Sequence, residues 1–217
     1  NSFLFSGGFE FIPVDADLNT WNIDHKKIPA PDEETAILVV HNLGNIVNVP
    51  ALQKRFPKTL IVEDNCEGLF GRHEGAYSGT QSLISSVSFF GNKTITSGEG
   101  GAVFTQDEMI FEYLNSVRGQ GQSSVRYIHD KLGYNYRMTN IQAALLYGQL
   151  EIQPEIREKK RSVFDLYTQE LKDVEGIRFQ ETEANTEHAQ WMFGLRFDQF
   201  NQQKKRDLEL FLFENNI

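Results

Sequence analysis

Over its first two thirds the chain alternates short β-rich runs with stretches of helical pattern, and this alternation narrows the available folds more than any other feature. Glu10 to Val14, Ala36 to His41 and Thr59 to Glu63 read as strands, with Val49 to Phe56 as a helix between the last two. Ser85 to Phe90 and Gly101 to Thr105 read as further strands, followed by a helix from Asp107 to Val117 with Asp107 as its N-cap. Strand, helix, strand at this spacing requires crossover connections, so the expected fold class is α/β with a mainly parallel sheet flanked by helices.

Thr139-Asn140-Ile141-Gln142 is a capping box that opens a helix from Asn140 to Leu150, and Pro154 suits the first turn of a longer helix through Lys172. Beyond Asp173 the pattern changes to a strand near Ile177 to Phe179, another at Trp191 to Phe197, and a charged helix from Lys204 to Glu214. Two units are expected: residues 1–172 as a large domain, and residues 173–217 as the start of a smaller α+β domain. One or two strands and a helix make a poor core on their own.

Composition removes several function classes. The 217 residues are 40% hydrophobic, enough for a sizeable core. No apolar run approaches the roughly 20 residues that span a bilayer, so no membrane partner is expected. Asn1 to Phe11 lacks the basic and long apolar regions of a signal peptide. A formal charge of −9 argues against a groove that neutralises nucleic-acid phosphates. The basic run Lys159-Lys160-Arg161 is interleaved with Glu155, Glu158 and Asp165 and reads as a solvated helix face. The single cysteine, Cys66, cannot form an internal disulfide and fits a reducing compartment. It reads as a small buried hydrophobe rather than a nucleophile. A cytoplasmic location is the expectation, and no metal site is.

Lys93 interrupts a stretch from Ser82 to Gly98 that holds no other charged residue. It follows the aromatic strand end Ser88-Phe89-Phe90 and precedes glycines at 98, 100 and 101. A lysine in apolar surroundings pays a desolvation cost for its charged form, which makes the neutral amine available as a nucleophile. Asp64 ends another strand at the edge where open α/β sheets bind ligands, although an acid there also caps a following helix. The glycines permit a close backbone approach or positive φ, while the Walker and GxGxxG patterns are absent.

The blocks "VEDNCEG" at Val62 to Gly68, "SFFGNKTITSGEGGAVFT" at Ser88 to Thr105 and "GYNYRMTNIQAAL" at Gly133 to Leu145 resemble, in order and spacing, the DegT/DnrJ family of nucleotide-sugar aminotransferases. "FIPVDADLNTWNID" at Phe11 to Asp24 looks like the stretch that precedes them. The resemblance implies a fold-type I enzyme that uses pyridoxal 5'-phosphate. It makes Lys93 the Schiff-base lysine and proton carrier, Asp64 the partner of the pyridine nitrogen, and Ser88 a contact to the cofactor phosphate. Asn135 matches a residue that reaches the neighbouring subunit's cofactor, which implies a homodimer with shared active sites. Glu67 occupies the position, beside the cofactor's phenolic oxygen, where many members carry Gln.

Arg126, Tyr127 and His129 lie in the polar segment Arg118 to Lys131, which in the family helps to hold the nucleotide-sugar; on its own the segment reads as a mobile connection. A branch of the family that removes a sugar hydroxyl replaces the lysine with His, so Lys93 favours transamination. The block around Lys93 looks most like members of the perosamine and viosamine type, which aminate a nucleotide-linked 4-keto-6-deoxyhexose with glutamate as donor. Amination at the 3-position, dehydration by the same cofactor, and a silent binding homologue are the alternatives. The resemblance also implies that the chain begins after the family's N-terminal part and stops inside its small domain.

Overall fold

In the computed structural model, which describes residues 7–199 and 201–217, four strands form the central sheet in the order β1-β2-β5-β6. They are β1 (Ala36–Val40), β2 (Leu60–Asp64), β5 (Ile84–Ser88) and β6 (Gly101–Thr105). The first three run parallel, with Val40 opposite Asp64 and Asp64 opposite Ser86, and β6 closes antiparallel on β5. Helix α1 (Val49–Arg55) makes the crossover from β1 to β2, with Asn48 as N-cap accepting from the Ala51 amide.

The core follows from strand alternation. Ile37, Val39 and Ile61 project to the face on which α1 lays Val49 and Leu52, and Ile28 and Val47 complete this cluster. A second cluster joins Val87, Phe89 and Ile95 to Leu146 of helix α3 (Asn140–Glu151). Helix α2 (Glu108–Arg118) is capped by Asp107, and α3 opens on the full capping box of Thr139 and Gln142. Helix α4 (Gln153–Leu171) and the terminal α5 (Gln202–Glu214) complete the helical set.

The stretch from Glu10 to Val14 is not a strand. Its neighbourhood offers one isolated bridge, Ala16 to Ile23, around a turn in which the Asp17 carboxylate accepts from the amides of Asn19 and Thr20 at 2.9 Å each. A β-prone run without a ladder to join stays extended but unpaired. Three short strands were not expected: β3 (Arg72–His73), β4 (Ala76–Tyr77) and β8 (Thr186–Glu187), in the order β4-β3-β8. Through β8, the segment after α4 returns to pair with the first half of the chain. β7 (Ile177–Phe179) pairs antiparallel with β9 (Leu195–Phe197), so the expected strand from Trp191 is shortened to its last three residues. No helix among the described residues is long and apolar enough to cross a membrane.

Ile95 anchors the loop that carries Lys93, and its side chain is 1% exposed in the second cluster. Ile95→Ala is expected to cost about 2–5 kcal/mol of unfolding free energy, the range for emptying a buried aliphatic site. Chemical denaturation would measure it, and a loss below about 1 kcal/mol would mean that the loop does not depend on this plug.

Candidate active site

Because β2 and β5 are parallel neighbours, the segments that leave their C-terminal ends share one edge of the sheet. Asp64 ends β2, half-buried, and its carboxylate accepts from the Cys66 amide at 3.1 Å. Ser88 ends β5, and its hydroxyl accepts from the Phe90 amide at 3.2 Å. The chain then turns, with the Lys93 amide donating to the Phe90 carbonyl at 3.0 Å, and leaves the Lys93 side chain half-buried.

The loop is held from several sides. Gln149 of α3 clamps Thr96, accepting from its amide at 2.9 Å and donating to its carbonyl at 2.6 Å. Gly98 and Gly100 take φ values of +83° and +122°, which side-chain-bearing residues rarely adopt. Gly101 is small for a different reason: a Cβ there would stand 2.6 Å from the Val87 carbonyl oxygen across the β5–β6 pair.

Cys66 shows that Asp64 and Lys93 act on one locality. Burial pushes its thiol up to about 11, the Asp64 carboxylate adds to the rise, and Ser86 and the Lys93 ammonium pull the other way. The thiol therefore stays protonated at neutral pH and is a poor nucleophile. No ion pair among the described residues includes Lys93. Its Nζ lies 3.9 Å from the ring centroid of Trp191.

Glu67 is used as an acceptor. The Leu43 amide donates to its Oε2 at 2.7 Å, from a turn at Asn42 to Gly44 in which Leu43 has φ +57°. Behind this turn lies a pair that nothing in the residue pattern singles out. The side chains of His41 and Glu63 are both fully buried, with Nε2 to Oε2 at 2.8 Å. His41 Nδ1 accepts from the Val47 amide at 3.0 Å, which puts the ring proton on Nε2, facing the carboxylate. Glu63 also accepts from the Gly79 amide and from the Ser82 amide and hydroxyl, at 2.8, 3.0 and 2.7 Å. Burial by itself raises the Glu63 pKa, but the hydrogen bonds from His41, Ser82 and Gly79 outweigh it and hold the carboxyl below its ordinary value.

The four remaining candidates stand apart from this group. Residues 119–135 form a hairpin-like loop bridged at Gly119 to Asn135 and Gln122 to His129. Arg126 packs on the ring of Tyr127 at 4.8 Å, and His129 Nδ1 lies 3.0 Å from the Gln120 carbonyl oxygen. Asn135, Arg126, Tyr127 and His129 are all exposed. The segment is thus ordered by its own backbone pairing rather than being a featureless connection.

Sequence reasoning missed Trp191 and Lys160. Lys160 lies half-buried on α4 instead of on a solvated face: its ammonium donates to the Trp191 carbonyl at 3.1 Å, and desolvation lowers its pKa. A tryptophan in the otherwise polar run His188-Ala189-Gln190-Trp191 was the one available signal. His188 secures that run, accepting from the Gln190 amide at 2.8 Å and facing Gln180 Oε1 at 3.0 Å through its other nitrogen. Burial drives its pKa down to about 4. Among the described residues, no group of three or more His, Cys, Asp or Glu side chains is arranged to hold a metal ion.

Residues 3–217 match the DegT/DnrJ/EryC1/StrS aminotransferase family. The chain is similar to the GDP-perosamine synthase of Escherichia coli O157:H7, at 34% identity over 84% of this chain and 51% of that protein. It is similar to the GDP-perosamine synthase of Caulobacter vibrioides at 36% identity, over 90% and 54% of the two chains. Among solved structures, a variant of GDP-4-keto-6-deoxymannose-3-dehydratase with bound GDP-perosamine matches with a TM-score of 0.90 at 25% identity, covering 99% of this chain and 61% of that one. A sugar aminotransferase from Micromonospora echinospora matches with a TM-score of 0.86 at 25% identity, covering 100% and 62%. The chain spans about half the length of the curated relatives it matches.

The depressed pKa values of His188 and Glu63 predict a two-stage loss of stability in acid. His188 is held neutral while an unfolded histidine takes up a proton near pH 6.5, so stability falls as pH drops from about 6.5 to about 4, by up to about 3 kcal/mol. Glu63 contributes stability that is complete above the unfolded glutamate value of about 4.3 and is lost as pH falls through its lower folded value. Urea melts across pH 3–8 should show both limbs. His188→Gln should remove the upper limb alone, and an unchanged upper limb in that variant would refute the assignment.

Proposed function

The chain belongs to the DegT/DnrJ/EryC1/StrS aminotransferase family, and on that premise we propose that the protein transfers an amino group from glutamate to a nucleotide-linked 4-keto-6-deoxyhexose, with pyridoxal 5'-phosphate as cofactor. The product is a 4-amino-4,6-dideoxy sugar. The observation that carries this reading is Lys93: a half-buried amine on the same sheet edge as Asp64, with no carboxylate paired to it among the described residues.

The residues at this edge suit that cofactor by their chemistry. A primary amine matches its aldehyde, a carboxylate at a strand end matches its ring nitrogen, and a hydroxyl at the next strand end matches its phosphate. When bound, pyridoxal phosphate supplies an electron sink that stabilises negative charge on the carbon bearing the amine. In this reading Lys93 anchors the cofactor and moves the proton at that carbon. Asp64 keeps the ring nitrogen protonated by opposite charge, and Ser88 donates its hydroxyl proton to a phosphate oxygen. Glu67, oriented by the Leu43 amide with one carboxylate oxygen already satisfied, would face the phenolic oxygen. Arg126, Tyr127 and His129 contact the nucleotide-sugar, and the planar fork of Arg126 suits the diphosphate.

The similarity to GDP-perosamine synthases from two organisms supports amination at the 4-position. A homodimer in which Asn135 serves the neighbouring site completes the reading. It is supported by Ile141 and Leu145, exposed one turn apart on the same face of α3, with Leu132 and Tyr136 exposed ahead of that helix, since exposed apolar surface of this kind marks interaction sites. The setting is cytoplasmic. A second reading, sugar dehydration, has one observation in its favour, the match to a 3-dehydratase structure; the lysine at position 93 favours transamination.

The test is to incubate the full-length dimer with pyridoxal phosphate, reduce with borohydride, and map the adduct by mass spectrometry. An adduct confined to Lys93 is expected, and its absence sinks the reading. Lys93→Ala should lower amino transfer by on the order of 10³-fold or more. Stoichiometric conversion of glutamate to 2-oxoglutarate separates amination from dehydration.

A further inference from the structure

Trp191 is fixed by contacts that do not involve Lys93. Its indole Nε1–H donates to the Asn92 carbonyl at 3.0 Å, and its own carbonyl accepts from Lys160 Nζ at 3.1 Å. On either side of it, the Ala189 amide donates to the Gly44 carbonyl at 2.7 Å and the Met192 amide to the Leu43 carbonyl at 3.3 Å. A Cβ at Gly44 would stand 3.1 Å from the Trp191 amide nitrogen and 3.2 Å from the Glu67 carbonyl oxygen, so the three segments pack at backbone distance. The indole is therefore carried on a backbone held by α4 and the 42–44 turn and tied through Nε1 to the Asn92 carbonyl, and Lys93 places its ammonium 3.9 Å from the ring centroid.

We propose that Trp191 is the positioning residue for Lys93: its indole face holds the lysine ammonium at the sheet edge and releases it when the amine is used. An amine that must form and break a covalent bond needs a partner strong enough to restrict a flexible four-carbon stem, yet weaker than a buried carboxylate. A ring face meets that need through the attraction of its quadrupole for a cation. The indole also covers one side of the amine, so the free lysine is shielded from adventitious carbonyl compounds. The proposal deepens the aminotransferase reading, but its physical content concerns the protein without cofactor.

The experiment is pulse acetylation of the cofactor-free full-length protein at several pH values, with the labelling rate of each lysine read by mass spectrometry. Trp191→Leu should raise the rate at Lys93 about 3- to 10-fold at neutral pH while distant lysines such as Lys54 label as before, and Trp191→Phe should restore a rate within about twofold of wild type. Equal rates in wild type and the Leu variant overturn the proposal. So does a Phe variant as reactive as the Leu variant, since a purely structural tryptophan would behave in that way. If the Leu variant does not fold, Lys93→Met in a Trp21→Phe background answers the same question through Trp191 fluorescence. A changed emission is expected, and an unchanged one overturns the proposal. Neither readout needs pyridoxal phosphate, so failure of the adduct at Lys93 and failure of the Trp191 contact are separable.

Discussion

A carboxylate taken wholly out of water must have its lone pairs filled or it costs several kcal/mol, and the geometry around Glu63 follows from that requirement. Its donors come from three places: His41 at the end of β1, the Gly79 amide, and Ser82 just ahead of β5. Satisfying one side chain thus fixes how the ends of three sheet strands meet. By strand alternation, a Glu63 turned into the interior sends its neighbour Asp64 the other way. The buried pair therefore orients the exposed edge: Asp64 lies where it does because Glu63 is held where it is.

The constraint passes outward through His41. With Nε2 facing Glu63, Nδ1 is left to accept the Val47 amide, and this shapes the 42–47 turn. That turn presents the Leu43 amide to Glu67 and receives the segment that carries Trp191. Side-chain amides hold the layer together: Asn45 donates to the carbonyls of Thr20 and Glu181, and Gln180 to those of Thr20 and Asn42. Residues more than a hundred positions apart are bound here by hydrogen bonds rather than by apolar packing. Such polar networks stabilise when fully paired and fail sharply when one member is lost, which is why acid reaches this region through His188.

What was legible in the sequence was local. The capping box at Thr139, the N-cap at Asp107 and the strands at Ala36, Leu60 and Gly101 are encoded by neighbouring residues, and the structure has them within a residue or two of expectation. The motif blocks around Asp64 and Lys93 were legible for the same reason. Glu10 to Val14 failed because a strand is defined by its partner, and β8 was invisible because its partner lies more than a hundred residues away. Lys160 carries the same charge as Lys159 beside it, yet one step around the helix turns it from solvent to the Trp191 carbonyl. Glu63 reads in the sequence only as the end of a strand, and only the packed structure shows His41 on the side to which it points.

These two modes of support divide the candidate site. Asp64, Glu67, Ser88 and Lys93 hang from core strands, from the turn beside the buried Glu63 pair and from the loop plugged by Ile95, so packing sets their backbone positions. Arg126, Tyr127, His129 and Asn135 ride on a hairpin whose hydrogen bonds close largely on itself and whose side chains face solvent. Residues of the second kind can be exchanged with little stability cost, because no buried group loses a partner. A scaffold built in this way holds the residues at its strand ends in register while the exposed hairpin is free to vary. One chain can then match both a protein named a GDP-perosamine synthase and one named a dehydratase. Fold alone does not choose between those chemistries. In the proposed reading the choice falls to the residue at the strand-edge loop, and here that residue is Lys93, whose ammonium lies 3.9 Å from the ring centroid of Trp191.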